Sequence, residues 1–251
     1  MDAIAEYFKK VGDIMNTALK TQKGAMETAA AKLADAALND KRIFAFGCSH
    51  AGLLALELYY RSSGMALINP IKAPGLNLDV DPATMTSQME RLEGYGRLIV
   101  DNHPIRSGDV VIIHSVSGRN TVTVDVAMRA REIGAYVIAL TSMAASVLKS
   151  RHPSGRSLYQ EADLVVDNCG VLGDGVLEIP GVPEKVGPAS TAVGAVILNA
   201  VMAGAVALIA EAGVTPPVFV SGNLDTGAEH NREMLAKYRD RIFYMGQGAN
   251  Q

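Results

Sequence analysis

The sequence predicts an α/β fold: a doubly wound parallel sheet of about five strands flanked by helices, with an N-terminal helical extension. Three observations lead to this fold class. Short apolar, β-branched runs recur along the chain, separated by helical patterns. These runs show little polar alternation, which is typical of strands covered by helices on both faces. The composition is 49% hydrophobic but only 5% aromatic, which suits close packing of helices on a sheet.

The predicted elements begin with a long helix. Apolar residues repeat at three- and four-residue steps within residues 1–39, as they do on one face of a helix. A strand over 42–46, a helix over 51–61 and a second strand over 65–69 follow. Residues 70–90 contain three prolines and are predicted to form a long irregular loop. Loops of this length in compact domains are usually functional or mobile.

Three further strands are predicted over 110–114, 136–141 and 164–168. The clearest helix of the chain, over 122–133, lies between the first two of them. Because strands and helices alternate, the strands should be parallel, and any ligand should bind near their carboxyl ends.

The pattern changes after residue 170. Residues 173–187 are rich in glycine and proline and are predicted to be a loop. A long helix then starts near Pro188, where Ser190 and Thr191 can cap it. This helix is apolar and long enough to span a membrane, but Asn199 in its middle predicts a buried helix of a soluble domain. The chain is therefore interpreted as one domain with three parts: a helical segment 1–39, a core 40–213 and a tail 214–251.

Composition and charge exclude several classes of function. The net charge of −3 argues against a nucleic-acid-binding surface. The two cysteines have neither a disulfide pattern nor metal spacing, and the first ten residues do not look like a secretion signal. No two histidines lie at ligand spacing and no nucleotide-binding motif is present, so neither a metal nor a cofactor is expected. We expect a cytoplasmic protein without a membrane segment.

Two polar turns follow predicted strands. The first is Gly47-Cys48-Ser49-His50, and the second is the stretch from Ser115 to Thr121. The second turn favours an anion such as phosphate. It offers helix N-terminal amides, the hydroxyls of Ser115 and Ser117, and the flexible backbone of Gly118. The alternative is a plain strand–turn–helix junction whose polar side chains only cap the helix. The two turns are expected to share one pocket at the sheet edge.

Together these turns resemble the sugar isomerase (SIS) domain family, whose members bind phosphosugars. The helix start Gly187-Pro188-Ala189-Ser190-Thr191 adds to the likeness. The chain is most similar to a bacterial branch of single-domain SIS proteins labelled as phosphoheptose isomerases, over about residues 1–240. The stretches that carry this closer resemblance are 91–95, 150–155 and 229–231.

The resemblance implies where a sugar phosphate would bind. Asn120 stands where the family often has Ser or Thr, and Arg119 beside it is either a phosphate ligand or a solvated side chain. By resemblance, the residues expected to bind substrate and phosphate are Gly47, Ser49, Ser115, Ser117, Gly118, Asn120, Thr121, Ser190 and Thr191.

The resemblance also implies a cofactor-independent aldose–ketose isomerase that uses a glutamate base. Glu57 is the candidate, since it lies two helical turns after His50 among apolar residues that would raise its pKa. The alternative is a surface glutamate paired with Arg61. His50 and His230 are candidates for sugar ring opening, and His230 could act in a neighbouring subunit. Alternatively, His50 only satisfies local backbone groups and His230 is a solvated residue at a helix start.

Other functions remain open for the same fold. A lyase that cleaves an ether at C3, or a deaminase, would need the same enolising base, whereas a phosphosugar sensor would need none. SIS domains commonly form dimers or tetramers, so a homodimer or homotetramer is expected. The amphipathic N-terminal helix fits this expectation, and the alternative is that it packs on its own sheet.

Overall fold

The computed structural model describes residues 2–245. The last six residues of the predicted tail lie outside this range. The helices are α1 (Ala3–Leu38), α2 (Gly52–Leu58), α3 (Met85–Met89), α4 (Tyr95–Asp101), α5 (Thr121–Ile133), α6 (Leu158–Glu161), α7 (Ser190–Glu211) and α8 (Gly227–Lys237). The strands are β1 (Ile43–Gly47), β2 (Ile68–Pro70), β3 (Val110–His114), β4 (Tyr136–Thr141), β5 (Leu164–Asp167), β6 (Gly175–Leu177) and β7 (Val186–Pro188).

Five strands form one parallel sheet in the order β2-β1-β3-β4-β5. In the register, Ile43 of β1 lies between Ile68 of β2 and Val110 of β3. The chain therefore moves outward from β1 to β2 and then returns to the other side of β1. This reversal opens a crevice between the carboxyl ends of β1 and β3, the usual ligand position in such sheets. The predicted α/β fold with five parallel strands is confirmed.

Helices cover both faces of the sheet, which explains why the strands lack alternation. Every residue of β1 and of β3 is buried. Ile43 and Ala45 pack on the face covered by α1, α2 and α7, whereas Phe44 and Phe46 pack on the face covered by α4 and α5. Successive side chains of a strand point to opposite faces, so both sets must be apolar here.

Helix α7 is a core element. It is the one helix of the described residues long and apolar enough to cross a membrane. However, Val193, Ile197, Val201, Ala205 and Ile209 pack in the core with α1. Their spacing of four residues places them along one face of the helix. The sequence-based interpretation of a buried domain helix agrees with this packing.

Five details differ from the sequence-based expectations. The second strand covers Ile68–Pro70 rather than 65–69. The predicted loop 173–187 contains an antiparallel hairpin of β6 and β7, because glycine and proline mark its turns and obscure its short strands. The segment 70–90 includes the short helix α3, and α4 was missed. The helix predicted over 51–61 starts with a 3-10 turn and ends at Leu58.

Candidate functional site

The first polar turn lies at the crevice because β1 ends there. Gly47 pairs directly with His114, the last residue of β3. A side chain at Gly47 would place its Cβ 2.4 Å from the Ala51 carbonyl oxygen, so only glycine permits the tight turn. Ser49 adopts a left-handed backbone with φ of 51°, which non-glycine residues rarely adopt. This conformation turns the Ser49 hydroxyl toward Glu90, to which it donates a hydrogen bond.

The second turn, from Ser115 to Thr121, is built around two residues. Ser115 is buried, and its hydroxyl accepts a hydrogen bond from the Gly118 amide at 3.2 Å. Gly118 has φ of 58°, and a Cβ there would lie 3.1 Å from the Thr141 hydroxyl. Ser115 and Gly118 therefore shape the loop.

Other donors of this turn remain open. Within residues 2–245, the backbone amides of Ser117, Arg119 and Asn120 make no hydrogen bond to the chain. The Ser117 hydroxyl is partly exposed next to them. Together with the N-terminus of α5, these groups form a cluster of donors that suits an anion.

Glu90 bridges the two turns, and sequence reasoning missed it. One carboxylate oxygen accepts from the Ser49 hydroxyl at 2.5 Å, and the other accepts from the Asn120 amide at 2.5 Å. Its backbone carbonyl accepts from the Val122 amide at 3.1 Å in the first turn of α5. Glu90 ends the predicted irregular loop 70–90, so no local periodicity marks it. The crevice thus contains a half-buried carboxylate beside the anion-binding loop.

Three arginines lie close to one another near this carboxylate. Arg151 donates to the Asn120 side-chain oxygen at 2.8 Å. Burial lowers the pKa of Arg151, and the nearby charges of Arg119 and Arg91 lower it further, whereas Glu90 opposes the change. The Nε atom of Arg119 is buried without a partner among the described residues. With three cations and one carboxylate, the crevice carries an excess positive charge that favours a dianion.

A buried histidine–carboxylate pair adjoins Arg151 in the sequence. His152 and Asp125 contact each other at 3.1 Å, and their side chains are 11% and 6% exposed. The second oxygen of Asp125 accepts from the Gly94 amide at 2.9 Å. This pair joins the segments 91–95 and 150–155, which are two of the stretches that the sequence resemblance singled out.

The third polar turn is tied to the start of α7. The amide and the hydroxyl of Ser190 donate to the two carboxylate oxygens of Asp174, each at 2.8 Å. Ser190 is thereby engaged in helix capping, and Thr191 next to it is half-buried. The role of both residues in substrate binding stays a prediction. Thr121 is likewise engaged, since its hydroxyl donates to the Arg151 carbonyl at 3.2 Å.

Of the predicted catalytic residues, Glu57 and His230 lie outside this crevice cluster, whereas His50 ends the first turn. Glu57 forms an ion pair with Arg61 and accepts from the Asn199 amide at 3.2 Å, as its alternative interpretation anticipates. His50 is exposed in the turn after β1. His230 contacts the Val218 carbonyl oxygen at 3.0 Å, near the amino end of β2 and away from the crevice of the same chain. Their catalytic roles remain predictions.

No group of three His, Cys, Asp or Glu side chains suited to a metal ion occurs among residues 2–245. The crevice itself offers a carboxylate, hydroxyls, amides and guanidinium groups.

Comparison with known proteins places these features in a family. Residues 6–142 match the SIS domain family. A UPF0309 protein of Oceanobacillus iheyensis is 42% identical over 246 residues, covering 98% of this chain and 100% of the relative. A UPF0309 protein of Streptomyces coelicolor is also 42% identical, covering 97% of this chain and 95% of the relative.

Two solved structures show the same fold at low identity. A phosphoheptose isomerase from Neisseria gonorrhoeae has a TM-score of 0.50 and 18% identity, covering 80% of this chain and 95% of that chain. The sugar isomerase domain of an RpiR transcription factor from Sphaerobacter thermophilus has a TM-score of 0.51 and 17% identity, covering 96% of this chain and 99% of that chain. The same fold therefore occurs in an isomerase and in a regulator.

Proposed function

The chain belongs to the SIS domain family, within a group of UPF0309 proteins, and on this premise we propose that it is a sugar-phosphate isomerase. It binds a sugar phosphate in the crevice between β1 and β3 and interconverts the aldose and ketose forms without a cofactor. The single observation that carries this proposal is the position of Glu90. Its carboxylate lies beside an open anion-binding loop, held by one side chain from each polar turn.

The phosphate end of the substrate occupies the second turn. Its oxygens accept hydrogen bonds from the free amides between Ser117 and Asn120 and from the Ser117 hydroxyl. The excess positive charge of the surrounding arginines compensates the phosphate charge. The unpartnered buried Nε of Arg119 supports this placement, since a buried donor without an acceptor costs about 1–3 kcal/mol.

Glu90 acts on the carbon chain of the open sugar. Its carboxylate removes the proton from C2 of the aldose, and the carbonyl oxygen at C1 becomes the hydroxyl of an enediol. The proton of the C2 hydroxyl is transferred to the C1 oxygen as the C2 carbonyl forms, and Glu90 returns the proton taken from C2 to C1. No atom is gained or lost overall. Ser49 and Asn120 orient the carboxylate throughout.

Ring opening precedes this step and needs a separate acid or base. His50 is exposed at the end of the first turn, close in sequence to Ser49. We assign ring opening to His50, with His230 of a second subunit as the competing candidate. We also place the protein in the cytoplasm, since Cys48 and Cys169 are both free thiols and a reducing compartment maintains them.

Paired glutamine variants test the proposal. A thermal-shift screen of pentose, hexose and heptose phosphates first identifies compounds that stabilise the protein, and turnover is then measured on each. Glu90→Gln should retain binding and lower kcat by about 10²–10⁴-fold, the usual contribution of a general base. Glu57→Gln is the matched control, with the same change of charge at the rival carboxylate, and should retain most activity.

Three outcomes would contradict parts of the proposal. If Glu57→Gln abolishes turnover and Glu90→Gln does not, the base is Glu57. If the product has lost its C3 substituent or its amino group, the protein is a lyase or deaminase. If sugar phosphates bind without any turnover, it is a sensor.

A further inference from the structure

We propose that Arg151 is the principal cationic ligand of the substrate phosphate, and that His152 is the positioning residue that holds Arg151 over the anion-binding turn. This inference rests on the proposed function, which requires a phosphate in that turn. It adds Arg151, which lies outside the turn, as a phosphate ligand. It also adds His152, which acts only by positioning Arg151.

The backbone of Arg151 is fixed to the turn at two points. Its amide donates to the Arg119 carbonyl at 2.9 Å, and its carbonyl accepts from the Thr121 hydroxyl at 3.2 Å. The side chain then reaches Asn120, which also contacts Glu90. Arg151 is thus joined through backbone and side chain to the loop that would hold the phosphate.

The guanidinium of Arg151 has unused donor capacity. It has five N–H groups, and among residues 2–245 its side-chain hydrogen bond is to the oxygen of the neutral Asn120 amide. It forms no ion pair with a carboxylate within this range, unlike Arg97, Arg129 and Arg156, which all do. Two parallel N–H groups of a guanidinium match two phosphate oxygens, so a bound phosphate would complete its coordination.

His152 fixes the segment from behind. The Ser154 amide donates to Nδ1 of His152 at 3.1 Å, so Nδ1 is the acceptor nitrogen and Nε2 carries the proton. That proton is donated to Asp125, which lies on α5, the helix whose N-terminus forms the anion site. The turn and the segment carrying Arg151 are therefore tied to the same helix. Because the His152 ring is itself buried against Asp125, it contacts no ligand directly.

The experiment uses the full chain and inorganic phosphate as the probe, with affinity measured by calorimetry. Arg151→Met should weaken phosphate binding about tenfold or more, because it removes a bidentate charged ligand. Arg151→Lys should recover only part of the affinity, since an ammonium lacks the planar fork. Arg232→Met is the matched control, since Arg232 pairs with Glu229 on exposed α8 and should leave the affinity unchanged.

Two further measurements separate positioning from general structural damage. Added guanidinium ion should restore phosphate binding to Arg151→Ala, which a misfolded variant would not show. His152→Ala leaves the buried Asp125 oxygen without its donor, so it should lower the melting temperature as well as weaken phosphate binding, and binding is therefore measured at a temperature where the variant is folded. His152→Gln, whose amide can donate to Asp125, should recover the phosphate affinity. With a turned-over sugar phosphate, the Arg151 and His152 variants should raise KM more than they lower kcat.

The outcomes are distinguishable from those of the proposed function. Phosphate affinity of Arg151→Met within about twofold of the wild type would overturn this inference and leave the isomerase proposal intact. Arg151-dependent phosphate binding without turnover of any sugar phosphate would overturn the isomerase proposal alone. A wild-type protein that binds neither phosphate nor a sugar phosphate would overturn both. Loss of binding in His152→Gln equal to that in His152→Ala would overturn the positioning role.

Discussion

His114 is a single residue whose burial has a direct consequence for stability. Its imidazole lies fully buried at the end of β3, with Nδ1 3.1 Å from the Ala51 carbonyl oxygen. Burial lowers its pKa from 6.5 to about 4, and the hydrogen bond to Ala51 and the charge of Asp174 only partly offset this effect. In the unfolded chain the pKa returns to its ordinary value, so protons bind more tightly to the unfolded state.

The free energy of unfolding should therefore rise with pH between about 4 and 6.5, by up to about 3 kcal/mol from this residue. Urea unfolding from pH 4.5 to 7.5 measures the dependence. His114→Gln should flatten this dependence. An identical pH dependence in His114→Gln and the wild type would contradict this explanation.

At the same scale, Glu90 and Glu57 show where prediction from sequence stops. Ser115, Ser117, Gly118 and Asn120 can be predicted to share one turn because a strand, a polar stretch and a helix follow one another in sequence. Glu90 lies 25 residues before Ser115 in an irregular segment, and only tertiary structure brings it to Asn120. The periodicity that singled out Glu57 marks a helix face, but it does not show which surface that face meets.

Among the elements, the turn between β1 and α2 is tightly constrained by its own backbone. Gly47 allows the chain to reverse within van der Waals distance of its own backbone, since a Cβ there would also lie 2.6 Å from the Ala51 carbonyl carbon. The atoms that such a Cβ would meet belong to the backbone, which cannot move aside as a flexible side chain can. The position of Ser49 depends on this turn.

Gly47→Ala should consequently destabilise the protein by about 3 kcal/mol and displace Ser49 from Glu90. Gly12→Ala is the matched control, because a Cβ at Gly12, within α1, has no atom within 4 Å. That variant should stabilise the helix by about 0.5–1 kcal/mol. Thermal unfolding should show a lower melting temperature for Gly47→Ala and a higher one for Gly12→Ala. Equal melting temperatures of the two variants would contradict the account of this turn.

The sequence predicts the buried strands of the sheet but not its shortest neighbouring elements, and the reasons are physical. Strands β1, β3 and β4 carry apolar runs because both faces are buried, and such runs stand out in sequence. Hairpin β6–β7 and helix α4 are short, and tertiary contacts stabilise them. Gly96 of α4 illustrates this, since a Cβ there would lie 2.4 Å from Asp125 of α5. Packing of this kind leaves little local pattern.

For the whole molecule, we propose a homodimer or homotetramer. Helix α1 exposes Ile4 and Phe8, each 75% exposed, and Leu19 at 58%. Exposed apolar residues along one helix are typical of an association surface. Light scattering coupled to size-exclusion chromatography should give a mass of two or four chains. Phe8→Asp should lower that mass, whereas Leu224→Asp, which changes another exposed leucine in a loop, should not. A monomeric wild type would contradict the proposal.

The most direct test of the central claim is hydrogen exchange at C2 of the bound sugar. The protein is incubated in D2O with an aldose phosphate that stabilises it, and the recovered aldose and ketose are analysed by nuclear magnetic resonance. The account predicts deuterium at C2 of the aldose and at C1 of the ketose with the wild type and Glu57→Gln, and none with Glu90→Gln. Exchange at C2 that persists unchanged in Glu90→Gln would contradict it.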